Sequence, residues 1–295
     1  MFFHSISDFL RMIDKFLRHL KRNNYSEETV VAYSKDLKKF YTFLKETHGE
    51  QLIITDITKE DILDFQDFLV HKGFAKNSVA RHISCIKSFF NFLYNELGVT
   101  NNPGSKVRTP KVFTPLSRIL TVDEIEQDMS VAKSYSTYYF VLISCLYYTG
   151  SRITPVIQLL KENVDLQAQK VYFPKIKGGK DLYLPLHPKL SKILMEFIYT
   201  YRPNSDYVFP SPKQMNKPIS VSDVRVNMKE IQKLSKIETR ITPHVIRHCT
   251  ATHLTLKGVD QRYLASILGH SDLRSTMRYQ HLNVENLRNS IEFLE

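Results

Sequence analysis

Thr242-Pro-His-Val-Ile-Arg-His248 carries the densest chemistry in this 295-residue chain. Thr242 is a natural N-cap and Pro243 a natural first helical residue, so His244, Arg247 and His248 fall at i, i+3 and i+4 on one helix face. Three potential cations on one face repel each other until an anion arrives, and the pattern reads as an anion site. Val245 and Ile246 point elsewhere, toward a core, and Gly258 ends the helix. Two histidines at i and i+4 can also hold zinc when a third ligand and a glutamate base complete the site. Here no glutamate lies between them, and Arg247 would add positive charge beside the metal, so the sequence predicts no metal site.

Gly150-Ser-Arg152 follows an apolar stretch from Tyr138 to Tyr148. Gly150 reads as a helix terminator, and Thr154-Pro155 as the N-cap and first position of the next helix. Arg152 is thereby predicted to sit in a tight interhelical turn, where a fixed guanidinium can clamp a phosphate through two oxygens. Leu268-Gly-His270-Ser supplies another histidine after a helix stop, and a short predicted helix then carries Tyr279. A phenol is a poor nucleophile until cations and hydrogen bonds stabilise the phenolate. Arg152, Arg247, His244 and His270 are the residue types that do so, and they distinguish Tyr279 from the other tyrosines, 16 in all.

The elements that must position these groups follow from periodicity. The first third reads as four amphipathic helices over residues 7–22, 27–47, 59–71 and 77–97, with Ser26 and Thr58 as N-caps and Gly73 and Gly98 as stops. The stretch from Lys76 to Phe90 interleaves Lys76, Arg81, Lys87 and hydroxyl side chains with apolar residues, so one face can pack while the other meets phosphates. Pro103, Pro110 and Pro115, with Lys106, Arg108, Lys111 and Arg118 among them, make residues 99–118 read as a stiff basic linker. A Thr121 helix start follows. Residues 170–176 and 182–186 read as two strands of a hairpin around Gly178-Gly179, with Lys177 and Lys180 at its tip. The fold class expected is mainly α with a small β component (α+β), in two domains: a helical bundle over 1–108, a linker over 109–118, and a mixed α/β domain over 119–295 with a tail from 280.

Composition narrows the partners. Lys and Arg total 41 against 30 Asp and Glu, for a net charge of +11. Residues 1–110 hold 16 basic and 13 acidic side chains and the remainder 25 and 17, so the excess lies where the motifs lie. A polyanionic partner is favoured. Cys85, Cys145 and Cys249 form an odd, dispersed set that supports neither a disulfide framework nor a cysteine zinc site. The opening residues lack the pattern of a signal peptide, and no apolar run is long enough to span a bilayer. A cytoplasmic, nucleoid-associated protein with no membrane partner is the expectation.

Taken together, the order and spacing of Arg152, His244-x-x-Arg247-His248, Leu268-Gly-His270-Ser and Tyr279 resemble the tyrosine recombinase family, in its phage integrase-like and short Xer-type members, over nearly the whole chain. Lys177-Gly-Gly-Lys180 ending in Leu184-Pro-Leu is similar to the family's β-hairpin segment, its first lysine corresponding to Lys177. The resemblance implies a core-binding helical domain and a catalytic domain. It also implies Tyr279 as nucleophile, Arg152 and Arg247 as the phosphate clamp, and His270 and His244 as phosphate hydrogen-bond partners. His244 would add general acid/base work, Lys177 would be the general acid for the 5′ hydroxyl, and His248 a positioning residue. Lys76, Arg81, Lys87, Lys106, Arg108 and Lys180 would be DNA contacts. The chemistry conserves bond energy in a 3′-phosphotyrosyl ester, so no cofactor is expected.

The implied partner is a double-stranded recombination site, with four protomers on two sites, identical or mixed with a paralogous recombinase, exchanging strands through a Holliday junction. Leu282, Val284, Leu287, Ile291 and Leu294 give the tail an apolar face for a neighbour. Pro155 stands where the family commonly has an acidic residue, which leaves open what buttresses Arg152. The rival readings are a type IB topoisomerase-like nicking enzyme and a DNA-binding regulator without activity. Within the recombinases, chromosome-dimer resolution competes with a mobile element's integration, excision or resolution. Pro155 tilts toward the element, and the little room before the bundle argues against the larger phage-type integrases.

Overall fold

The computed structural model describes residues 7–49, 52–110, 118–176, 180–201 and 204–269, without the side chains of Ser7, Lys175 and Lys180. The chain divides into two compact units, residues 1–115 and 116–295.

In the first unit, α1 (Ser7–Arg22), α2 (Glu27–His48), α3 (Lys59–His71) and α4 (Lys76–Leu97) coincide closely with the periodicity. Their ends have local causes. The Ser26 hydroxyl accepts from the Thr29 amide, Thr58 and Asp61 form a reciprocal capping box, and Gly98 ends α4 in the left-handed region at φ 67°. Phe9, Phe16, Phe40, Phe65 and Phe89 are all buried between the helices. Each such side chain stabilises the unit by about 2–3 kcal/mol relative to exposure.

The linker predicted over 99–118 is shorter at its start. Pro103–Lys106 form a 3₁₀ turn packed on α4, so close that a Cβ on Gly104 would come within 3.0 Å of Lys87 Cα. Proline directs this turn because its missing N–H falls where a helix start has no partner anyway. Residues 111–117 lie outside the described residues.

The second unit opens on α5 (Val122–Tyr135), started by a capping box between Thr121 and Glu124. Next comes α6 (Thr137–Thr149), buried almost all round, which the apolar run requires. Gly150 turns the chain at φ 57°, and α7 (Ile153–Ile157) follows. Here the structure corrects the sequence reading. Arg152, not Thr154, is the N-cap residue, and Thr154 and Pro155 lie inside the first turn, where proline is tolerated because the amide it lacks would be unpaired.

Strands β1 (Val164–Asp165), β2 (Lys170–Ile176) and β3 (Lys180–Pro185) form an antiparallel sheet in that order, with Tyr172 opposite Tyr183 and Phe173 opposite Leu182. β3 starts two residues before the predicted strand. Then come α8 (Pro188–Glu196), a π-helical turn at Phe197–Tyr201, α9 (Val221–Ser235), α10 (Pro243–Leu256) and α11 (Gln261–Leu268). The core gathers around α6, with Leu142, Leu146, Phe173, Leu190, Phe209 and Ile246 among its buried members. Among the described residues no helix is long and apolar enough to cross a membrane.

One buried group opposes this core. Asp128 on α5 is only 2% exposed and its Oδ1 has no hydrogen-bond partner among the described residues. Burial pushes its pKa up to about 6, against a hydrogen bond from Ser235 that acts the other way. The folded state therefore favours the protonated acid, a contribution fully present below about pH 4 and lost as pH rises through about 6. Asp128→Asn is expected to raise the unfolding free energy at pH 7 by up to about 3 kcal/mol and to change little at pH 4. Urea unfolding at the two pH values decides it, and an equal loss at both would refute the assignment.

Candidate active site

Arg247 is the keystone of the site. α10 begins as the sequence predicts, with Thr242 Oγ1 accepting from the Val245 amide and Pro243 in the first turn. Three residues on from His244, Arg247 is 5% exposed. Its Nη1 donates to the Gly150 carbonyl at 2.8 Å and its Nη2 to the Leu268 carbonyl at 2.8 Å. One guanidinium thus ties α10 to the turn before Arg152 and to the end of α11. Thr250 fastens the same helix to α6, its hydroxyl donating to the Tyr147 carbonyl at 2.7 Å. Around Gly150 the packing is tight: a Cβ there would meet Leu268 at 3.1 Å and Thr250 at 3.2 Å.

Arg152, His244 and Arg247 line one cavity of about 530 Å³. Arg152 is half-buried, and loss of water around it draws its guanidinium pKa down, though arginine stays charged at neutral pH. Among the described residues no carboxylate pairs with it. The question raised by Pro155 thus has a partial answer: an entering anion would restore the charged group's lost solvation. Ser151 beside it is buried, and its hydroxyl has no partner among the described residues. His244 Nε2 and His248 Nε2 stand 2.9 Å apart. That contact needs one protonated and one bare nitrogen, so the two rings hold complementary protonation at this edge. Among the described residues no three potential metal ligands gather.

Gly269, at φ 60°, lies against the hairpin: a Cβ on it would fall 2.6 Å from Ile176 Cδ1. Ile176 and Gly269 immediately precede Lys177 and His270 in the chain. Lys177, His270 and Tyr279 lie outside the described residues, as does the side chain of Lys180.

Two family models match: the phage integrase family over residues 118–286, and the phage integrase N-terminal SAM-like domain over residues 13–97. The chain belongs to the phage integrase family of tyrosine recombinases. It is 30% identical over 286 residues to tyrosine recombinase XerD of Listeria innocua, covering 92% of this chain and 94% of that protein. Its fold is similar to the Tn1549 transposon integrase solved with transposon right end DNA (TM-score 0.79, 17% identity, 97% of this chain and 99% of that one). It is also similar to lambda integrase solved as a tetramer on a Holliday junction (TM-score 0.76, 18% identity, 94% and 77%). Tyrosine recombinases cleave and rejoin DNA strands, and this chain is an enzyme of that class.

In the recombinase's first unit, the basic residues expected to contact DNA differ in their availability. Lys76, Lys106 and Arg108 are exposed. Arg81 forms an ion pair with the buried Asp36, and Lys87 donates to the Val107 carbonyl at 2.5 Å, holding the 3₁₀ turn on α4. In the second unit, Arg225 and Arg240 line the cavity beside Arg152 and His244. Sequence reasoning missed both. Arg240 stands two residues before the Thr242 cap, a weak signal, and Arg225 gave none, since only the fold brings α9 to this place.

Proposed function

We propose that this recombinase is site-specific, cutting and rejoining DNA through a 3′-phosphotyrosyl link to Tyr279 and exchanging strands between two sites through a Holliday junction. Arg152 and Arg247 grip the non-bridging oxygens of the scissile phosphate. His244 takes the tyrosine proton, His270 adds a hydrogen bond to the phosphate, and Lys177 protonates the departing 5′ hydroxyl. His248 positions His244 through their 2.9 Å contact. Lys76, Arg81, Lys87, Lys106, Arg108 and Lys180 contact the DNA. The observation that carries the reading is the cavity where Arg152, His244 and Arg247 meet, with Arg247 fastened to both flanking segments.

The domain assignment offered is a core-binding domain over 1–108, a linker over 109–118 and a catalytic domain over 119–295. Four protomers on two sites, in the cytoplasm at the nucleoid, complete it. Near full-length likeness to XerD favours chromosome-dimer resolution, while Pro155 favours a mobile element.

A nicked duplex carrying the site traps the covalent step, because the freed 5′ end diffuses away. Incubating the protein with nicked duplexes from its own genomic neighbourhood is expected to give protein-linked DNA, and a plasmid with two sites to give recombinant circles. Relaxation without recombinants would indicate a topoisomerase-like activity, and binding without linkage a regulator.

A further inference from the structure

Arg225 and Arg240 are shared by two cavities: the one that holds Arg152 and His244, and a larger one of about 790 Å³ between α9 and the 236–243 connection. The larger cavity also presents Lys229 and Lys236. Arg225, Lys229 and Lys236 recur at i, i+4 and i+11, one face of α9 continued into its C-cap. All four cations are exposed, and among the described residues none is ion-paired, whereas neighbouring Lys233 is bound to Glu230 at 2.8 Å. Attraction to the helix's negative end accounts for cations in the last turn. It does not account for Arg225, near the opposite end, or for Arg240, which is off the helix. The apolar lining residues Met228, Ile237 and Ile241 are themselves buried, and every fully exposed lining side chain is a cation.

We infer that this cleft is a second phosphate track, in which Arg225 and Arg240 hold DNA phosphates next to the scissile one and Lys229 and Lys236 follow the same strand onward. The inference rests on the proposal that the Arg152–His244–Arg247 cavity takes the scissile phosphate. From Arg225 to Lys236 the backbone advances about 16 Å at helical rise, a length that along the duplex axis corresponds to about five phosphates of one strand. A cationic file of that length suits a polyphosphate backbone. Arg225 and Arg240 are therefore positioning residues: they fix where the strand lies and thereby which phosphate enters the catalytic cavity.

The test compares the full chain with its Arg225→Gln/Arg240→Gln variant for binding to a nicked site duplex across a salt series. Losing two phosphate contacts is expected to reduce the slope of log affinity against log salt by about two, so the variant's disadvantage shrinks about tenfold between about 50 and about 200 mM salt. Neutral methylphosphonates placed one at a time beside the nick should weaken the unsubstituted protein at specific positions and cost the variant nothing further there. A structural role would lower the melting temperature without that position-specific insensitivity. An unchanged slope with retained methylphosphonate sensitivity overturns the inference. So does an unchanged slope with loss of self-association, which would assign the cleft to a protein partner. Failure of the catalytic reading shows separately, as absence of protein-linked DNA from the unsubstituted enzyme, because the slope reports binding alone.

Discussion

Tyr279→Phe is expected to bind site DNA within about twofold of the unsubstituted protein and to form no protein-linked DNA at all. The substitution keeps the ring and removes only the oxygen that would become the ester. The described part of the site holds no substitute. Of the hydroxyls lining the cavity, Thr242's accepts the Val245 amide as a helix cap, and Thr154 is an aliphatic alcohol on the exposed first turn of α7. Denaturing electrophoresis of a nicked duplex reads the outcome, and an adduct surviving in the phenylalanine variant would move the nucleophile elsewhere.

The two arginines should separate in a way that family membership alone does not foretell. Arg152→Ala and Arg247→Ala are each expected to slow cleavage by about 10³-fold or more, since on the proposed reading each removes a positive charge from the phosphate site. Their effects on stability should differ. Arg152 is half-buried without an ion pair among the described residues, so its removal relieves desolvation and should leave the melting temperature within about 2 °C. Arg247 is buried with two carbonyls as acceptors. Truncation leaves the Gly150 and Leu268 carbonyls unpaired, a cost of about 1–3 kcal/mol each and so a fall of about 5–15 °C for a unit of this size. Calorimetry beside single-turnover cleavage makes the comparison. Equal melting temperatures for the two variants would show that Arg247 does not fasten the fold.

Much of this was legible because it is local. Caps at Ser26, Thr58, Thr121 and Thr242 and left-handed glycines at Gly98 and Gly150 depend on a few neighbouring residues, and helical periodicity survives wherever one face packs. The Thr154-Pro155 misreading has the same origin: a threonine-proline pair fits both a cap and a first turn, and local sequence does not choose between them. What sequence could not show was the use of each cation. Arg247 reads as one of three surface charges, yet it is buried against carbonyls 97 and 21 residues away. Arg81 and Lys87 read as phosphate contacts, and the sequence did not show that Asp36 and the Val107 carbonyl also take a bond from each. Arg225 joins the site only through the packing of α9.

Gly269 sets a mechanical condition on the enzyme. With no side chain there, Ile176 bears directly on the backbone at the end of α11, with no compressible layer between them. The covalent chain runs from one of these residues to the candidate acid Lys177 and from the other to the candidate phosphate ligand His270. A sideways step of the hairpin's base must therefore press on the strand of chain leading to His270. Residues nearly a hundred positions apart in sequence, each the chain neighbour of a candidate catalytic group, thus bear on one another.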